Sequence, residues 1–298
     1  MTINLTLSHS QVQAYNKCKF YWKLKYIDGW VTFSTGDMNR GTWIHEALNY
    51  GYSVNNNREM VRDYLGQKIR DASSETMPEI ARYTRIVQRY FEEFVPASDQ
   101  EQITIGLEKE FELELLSATG RPFKLRGFID RIFSYRGRIF VEDFKTMNRA
   151  SWWDQISLML DPQMTIYSAV LPYIPELGIP SVDGVAVTQL NCYDYKNNAF
   201  ETKPISDIVR REKVYRTDME KANILVELGN VADEILSQLE NNKPFTKSLT
   251  RNCNKCDFSE ACQFSLRGVN IEPFLAAKYT RKDNPLSLQL LEMKADAD

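Results

Sequence analysis

Between residues 103 and 116 apolar and charged positions alternate, with Leu107, Phe111, Leu113 and Leu115 in the apolar register. That period belongs to a strand with one buried face. Segments 124–134 and 138–146 predict two more strands, with Ser134-Tyr135-Arg136-Gly137-Arg138 between them as a hairpin turn. The valine-rich stretch 181–190 predicts a fourth. The rest reads as helix. Ser8-His9-Ser10-Gln11 has the form of a capping box and opens a helix that runs to about residue 26. Residues 41–50, 58–71 and 78–94 predict three helices, Asn55-Asn56-Asn57 separating the first two. Residues 163–171 predict a buried helix. Residues 206–240 predict one long charged helix, on which Ile224, Leu225, Leu228, Val231, Ile235 and Leu239 recur at helical spacing. Residues 28–40 are rich in turn formers, and 281–298 form a polar tail, loose or weakly helical. The order helices, three strands, helix, strand, helix predicts a mixed α/β core under an N-terminal helical cap.

Composition narrows the class. The chain has 298 residues, enough for a large core, with 43% hydrophobic and 26% charged residues, ordinary for a globular protein. No run approaches the ~18 apolar residues of a membrane span. Met1-Thr2-Ile3-Asn4-Leu5 lacks the charged and apolar regions of a signal peptide. The expected location is the cytoplasm, or the host cytoplasm for a viral gene. A net charge of -3 excludes a surface coated in nucleic acid. It leaves room for a local basic groove, and Arg82, Arg85 and Arg89, or Arg210, Arg211, Lys213 and Arg216, are such clusters. Gly36-Asp37-Met38-Asn39-Arg40-Gly41-Thr42 has P-loop spacing but no lysine before the threonine, and is read as a helix-start loop.

The candidate chemistry sits on two of the strands, in Gly127-Phe128-Ile129-Asp130-Arg131 and Val141-Glu142-Asp143-Phe144-Lys145-Thr146. Asp143 and Lys145, two apart on a strand, leave the same face, and a paired strand brings Asp130 alongside. Carboxylates held together repel unless a cation neutralises them, and a hard divalent ion with oxygen ligands is the usual solution. A lysine beside such an ion can stabilise an anionic transition state, which points to phosphodiester hydrolysis. Glu142, next to Asp143, competes for the inward position, but alternation with Lys145 favours Asp143. Trp152 and Trp153 could stack on unpaired bases or simply anchor the loop.

Cys253, Cys256 and Cys262 form C-x2-C-x5-C, while Cys18 and Cys192 stand apart. Close-set cysteines in a cytosolic protein suggest a metal or cluster rather than disulfides. Three thiolates need a fourth ligand, and with only His9 and His45 in the chain, Cys18 is the natural candidate. Zinc and a [4Fe–4S] cluster both suit four thiolates. Cys192 is read as a small buried hydrophobe.

Taken together, these motifs resemble the PD-(D/E)XK nuclease superfamily, in its RecB-like branch with an iron–sulfur cluster. They are similar to those of the CRISPR-associated exonucleases of the fourth Cas class and the nuclease domain of AddB. The resemblance covers residues 8–262. It implies a restriction-endonuclease-like mixed β-sheet flanked by helices, with a C-terminal iron–sulfur segment, as a single nuclease domain over 1–298. Its parts would be a helical 1–100, a catalytic core 101–200, a helix and cysteine segment 201–270 and a tail 271–298. By the same resemblance His45, Asp130, Asp143 and the Phe144 carbonyl would hold Mg²⁺ or Mn²⁺, with Asp130, Asp143 and Lys145 catalytic. Gln163 and Tyr167, matching a Q-x3-Y helix, would line the site and touch DNA. Cys18, Cys253, Cys256 and Cys262 would hold a [4Fe–4S] cluster. Apart from the resemblance, Glu108 or Glu110 on the first strand could support the divalent metal indirectly. The implied activity is a DNA exonuclease acting on single-stranded or frayed ends. It would serve recombination, repair or CRISPR-type processing, with recombination or CRISPR-adaptation proteins as partners. The alternative is a non-catalytic DNA-binding or recombination accessory module.

Overall fold

A computed structural model describes residues 3–32, 40–147, 152–192 and 201–282. Along the chain run β1 (Thr6–Leu7), α1 (His9–Lys17), α2 (Lys19–Trp22), a π turn, and β2 (Trp30–Thr32). The helices α3 (Arg40–Ser53), α4 (Arg58–Arg70), α5 (Met77–Arg89) and α6 (Val95–Ser98) follow. Then come β3 (Gln102–Leu116), β4 (Pro122–Tyr135), β5 (Arg138–Met147), α7 (Gln155–Met159), α8 (Pro162–Val170) and β6 (Gly184–Asn191). The last elements are β7 (Val209–Tyr215), α9 (Asp218–Glu240), α10 (Ser259–Leu266), α11 (Glu272–Lys278) and β8 (Tyr279–Arg281). The fold is mixed α/β, and none of the described helices is long and apolar enough to cross a membrane.

Two expectations change. Ser8 caps α1 as predicted, its hydroxyl accepting from the Gln11 N–H. The helix does not run on to residue 26, because Cys18 turns extended at φ -164°, ψ 112°. The Phe20 N–H then donates to the Thr246 carbonyl instead of within the helix. The predicted helix 206–240 is split: Val209–Tyr215 is a strand, and α9 starts only at Asp218. The charges of this segment suggested helix, but they are needed by partners elsewhere in the fold. The polar tail beyond residue 282 and most of the P-loop-like stretch lie outside the described residues.

The chain divides into two compact units, with boundaries that cut β3, β4 and α9. The first comprises residues 1–36, 112–126 and 226–298. In it β1 pairs in parallel with the start of β4, and β2 pairs antiparallel with β8. Its core gathers Leu24, Trp30, Phe258, Ala261, Leu275 and Tyr279. The second comprises residues 37–111 and 127–225 and holds the rest of the sheet. The β4–β5 hairpin closes through Arg136 and Gly137, at φ 51° and 73°. Positive φ at both central residues marks a type I′ turn, whose twist matches the flanking strands. β5 pairs in parallel with β6, and β6 antiparallel with β7. Helix α3 packs on β5, and α8 packs on β5 and β6. Trp43, Ile44, Leu48, Tyr83, Val87 and Phe91 build the helical core against Phe144.

Candidate active site

The described β4–β5 ladder ends at Arg131 and Glu142, so the next residue on each strand is an aspartate. Asp130 and Asp143 are buried at 8% and 4% exposure. Asp130 Oδ2 accepts from the Phe144 N–H at 2.7 Å, which ties one carboxylate to the strand of the other. On α3, His45 places Nδ1 3.4 Å from the same Asp130 oxygen. His45 also hydrogen-bonds the Phe144 main chain and meets the Phe144 ring edge-on. Burial pulls its pKa down, but the Asp130 hydrogen bond and charge, with Asp143 and Phe144, outweigh that and raise it.

Glu108 enters from β3. It has φ 45°, a left-handed conformation that is uncommon and strained for a residue with a side chain. Ligand atoms of His45, Glu108 and Asp130 all lie within 4.8 Å of one another. Burial, then the Asp130 charge, raises the pKa of Glu108 against the pull of His45. One nitrogen and two carboxylates this close, repelling each other without a counter-ion, are a donor set suited to a divalent cation.

Asp143 faces a different neighbour. Lys145 Nζ lies 2.7 Å from its Oδ2, a close ion pair. Gln163 Nε2 donates to Asp143 Oδ1 at 3.1 Å and to the Tyr167 hydroxyl at 3.0 Å, while Lys145 donates to Gln163 Oε1 at 3.1 Å. The Gln163 amide thus locks lysine, aspartate and tyrosine together. Gly127 makes room for this: a Cβ there would stand 2.8 Å from the Phe111 ring and 3.2 Å from Tyr167. Burial, reinforced by the Asp130 charge, pushes the Asp143 carboxyl up to about 6 despite Lys145 and His45. Burial lowers Lys145, but Asp143, then Asp130 and Asp161, raise it further, so the ammonium stays charged. Burial also raises Tyr167, to about 12, keeping its phenol neutral.

Glu142 points to the other face of β5, into a buried ionic cluster. Its carboxylate meets Arg131 Nη1 and Arg211 Nε, each at 2.6 Å, and accepts from the Thr188 hydroxyl. Asp99 pairs with Arg211 and, at 3.5 Å, with Arg131. Tyr52 donates to Asp99 at 2.8 Å, and Arg211 donates to the Tyr90 hydroxyl at 2.9 Å. This cluster is not visible in the sequence, because its members come from α3, the stretch that follows α5 and α6, and four strands.

In the first unit Cys18, Cys253, Cys256 and Cys262 line one cavity of about 560 Å³ with Lys17, Phe20 and Lys247. Burial, with the charges of neighbouring thiols, raises the pKa of Cys256 and Cys262. Cys192 is buried at 1% exposure, in the second unit.

A family profile described as the PD-(D/E)XK nuclease superfamily matches residues 6–263, an interval that contains every residue named above as a candidate ligand. No curated protein matches the chain. Among solved structures, the crystal structure of SSO0001 is similar at 13% identity, covering 73% of this chain and 80% of that one, with a TM-score of 0.32. That of a "Putative exonuclease" from Eubacterium rectale is 13% identical, covering 86% of this chain and 87% of that one, with a TM-score of 0.44.

Proposed function

The chain belongs to the PD-(D/E)XK nuclease superfamily, and from that premise we propose that it is a divalent-metal-dependent DNA exonuclease of the RecB-like branch. Its substrate would be single-stranded or frayed ends, in recombination, repair or CRISPR-type processing. The observation that carries the reading is the convergence of His45, Glu108 and Asp130 within 4.8 Å of one another, with Asp130 accepting from the N–H of Phe144, the β5 residue between Asp143 and Lys145. His45, Asp130, Asp143 and the Phe144 carbonyl would hold Mg²⁺ or Mn²⁺, with Glu108 as a further carboxylate. Such an ion supplies Lewis acidity toward the phosphate and a more acidic bound water.

The rest of the chemistry belongs to the chain. Asp143 must lose its proton before it can serve as a ligand, and its neighbours Lys145 and His45 favour that loss. Lys145 is the charged donor aimed at the phosphate oxygens on which charge develops. Gln163 holds the ammonium in place, so little reorganisation is needed in the transition state. Tyr167 in turn holds Gln163.

The cysteines support a [4Fe–4S] cluster in the same protein. The four cysteines line one cavity, and four thiolates are the donor set such a cluster takes. Bound there, the cluster would tie the Cys18 break in the N-terminal helices to the C-terminal cysteine segment.

The test is digestion of end-labelled single- and double-stranded DNA with Mg²⁺ and Mn²⁺. Wild type should cut, and Asp143→Ala or Lys145→Ala should lose about 10²–10³-fold in rate. Equal rates for wild type and both variants would sink the reading.

A further inference from the structure

We propose that Trp153 is a stacking platform for an unpaired DNA base beside the phosphate held at Lys145, and that Gln189 is the residue that positions it. The proposal rests on the nuclease reading for the location of that phosphate. Gln189 is the β6 register partner of Lys145 and is 0% exposed, in a strand otherwise dominated by apolar residues. Burying an amide is costly unless both its ends are bonded. Here both ends go to one peptide: the Trp153 N–H donates to Gln189 Oε1 at 2.6 Å, and Gln189 Nε2 donates to the Trp153 carbonyl at 3.1 Å. A valine would fill the core at this position. The glutamine instead clamps residue 153 as a further strand would, and the clamp sets the indole 6.0 Å from Lys145 Nζ.

The surroundings suit a single strand. Trp152 carries the Arg210 guanidinium 4.8 Å above its ring. From Trp153 the chain enters α7, where Asp154 caps the helix by accepting from the Ser157 N–H. In and just after that helix Ile156, Met159 and Leu160 are 65%, 54% and 78% exposed. Cations for phosphates and flat or apolar surfaces for bases therefore adjoin the candidate site. A base inside a duplex is already stacked, so the platform would select unpaired nucleotides, as aromatic side chains do in single-strand binding proteins.

The test is fluorescence anisotropy with a labelled short oligothymidylate, the same oligomer carrying one abasic position, and a blunt duplex, all without metal so that nothing is cut. Trp153→Ala should weaken binding of the oligothymidylate by about 5- to 150-fold, while Trp153→Phe keeps most of the affinity. Gln189→Leu should weaken it as Trp153→Ala does, with the ring intact but unclamped. Wild type should discriminate against the abasic oligomer, Trp153→Ala should not, and duplex binding should be the same for all. If Trp153→Ala binds single strands like wild type, or keeps the abasic discrimination, the platform is wrong. Trp153→Phe against Trp153→Ala decides the matter even where Gln189→Leu fails to fold. Cleavage with Mn²⁺ judges the nuclease reading separately. A wild type that cuts while Trp153→Ala both cuts and binds normally overturns only the platform. A wild type that discriminates but never cuts upholds the platform and overturns the nuclease.

Discussion

Glu142→Gln should destabilise the protein by about 3–5 kcal/mol, the cost of removing one partner from a buried ion pair. The cluster holds two guanidiniums and two carboxylates, with side-chain exposures of 1% for Arg131, 4% for Arg211, 0% for Glu142 and 4% for Asp99. It is neutral as built. Glutamine keeps the shape and one acceptor oxygen but leaves a net positive charge where no water reaches. At an effective dielectric constant of about 20, a lost attraction across 4 Å is worth about 4 kcal/mol, and two such contacts at 2.6 Å are affected. Relaxation and the lower desolvation cost of the neutral amide hold the net figure to the measured range for buried pairs. Against a total stability of about 5–15 kcal/mol this is a large fraction, and at about 2–4 °C per kcal/mol the melting midpoint should fall by about 10 °C. Circular dichroism of metal-free protein during heating, with a urea titration for the free energy, measures it. Arg211→Met should cost less in the Glu142→Gln background than in wild type, because there it removes the surplus charge. A Glu142→Gln loss under about 0.5 kcal/mol, or a strictly additive double variant, would refute the electrostatic account.

The raised Asp143 carboxyl makes the metal-free protein lose stability as pH rises from its unfolded value of 3.8 through about 6, because the fold favours the protonated form. Mn²⁺ affinity should climb over the same window, and Asp143→Asn should flatten the stability profile, as read by melting midpoints against pH. Tyr167→Phe frees Gln163 of one partner and should slow cleavage by about 2- to 10-fold with little change in KM, the worth of one hydrogen bond. Gly127→Ala drives a methyl into the Phe111 ring and toward Tyr167, and should cost about 1–3 kcal/mol in a denaturant titration. Anaerobically purified wild type should be brown. Cys253→Ser should be colourless, and Cys192→Ser should keep the colour because that thiol is buried in the other unit; a zinc-loaded, colourless wild type would rule out the cluster.

The parts of the fold legible in the sequence are those whose cause is local. Alternation found β3, the two strand-like runs on either side of a turn found β4 and β5, and Arg136-Gly137 falls in that turn. His45, Asp130, Asp143, Lys145, Gln163 and Tyr167 were nameable from short motifs, and the structure places all six in the second unit. What stayed hidden depends on distant partners. β7 looks helical because Arg211 is a charge, and nothing near it in the chain shows that Glu142 and Asp99 will neutralise it. Gln189 reads as an interruption in a valine-rich strand until Trp153 arrives to use both ends of its amide. The extended Cys18 has a similar cause: the bond from the Phe20 N–H goes to Thr246, far along the chain. Glu108 was visible as a strand residue, but its positive φ was not.

Strand β5 carries two adjacent carboxylates into opposite surroundings, Glu142 among guanidiniums and Asp143 beside Lys145 and near Asp130. A slip of one position would turn every side chain of β5 to the wrong face. The longer acid would then arrive unneutralised at the candidate site, and the shorter one would sit before two arginines it cannot span. The misplaced strand would forfeit the buried ion pairs at the same step that it lost its catalytic groups. Charge therefore acts here as a folding checksum: the arrangement able to bind a cation on one face is the arrangement that is electrically neutral on the other.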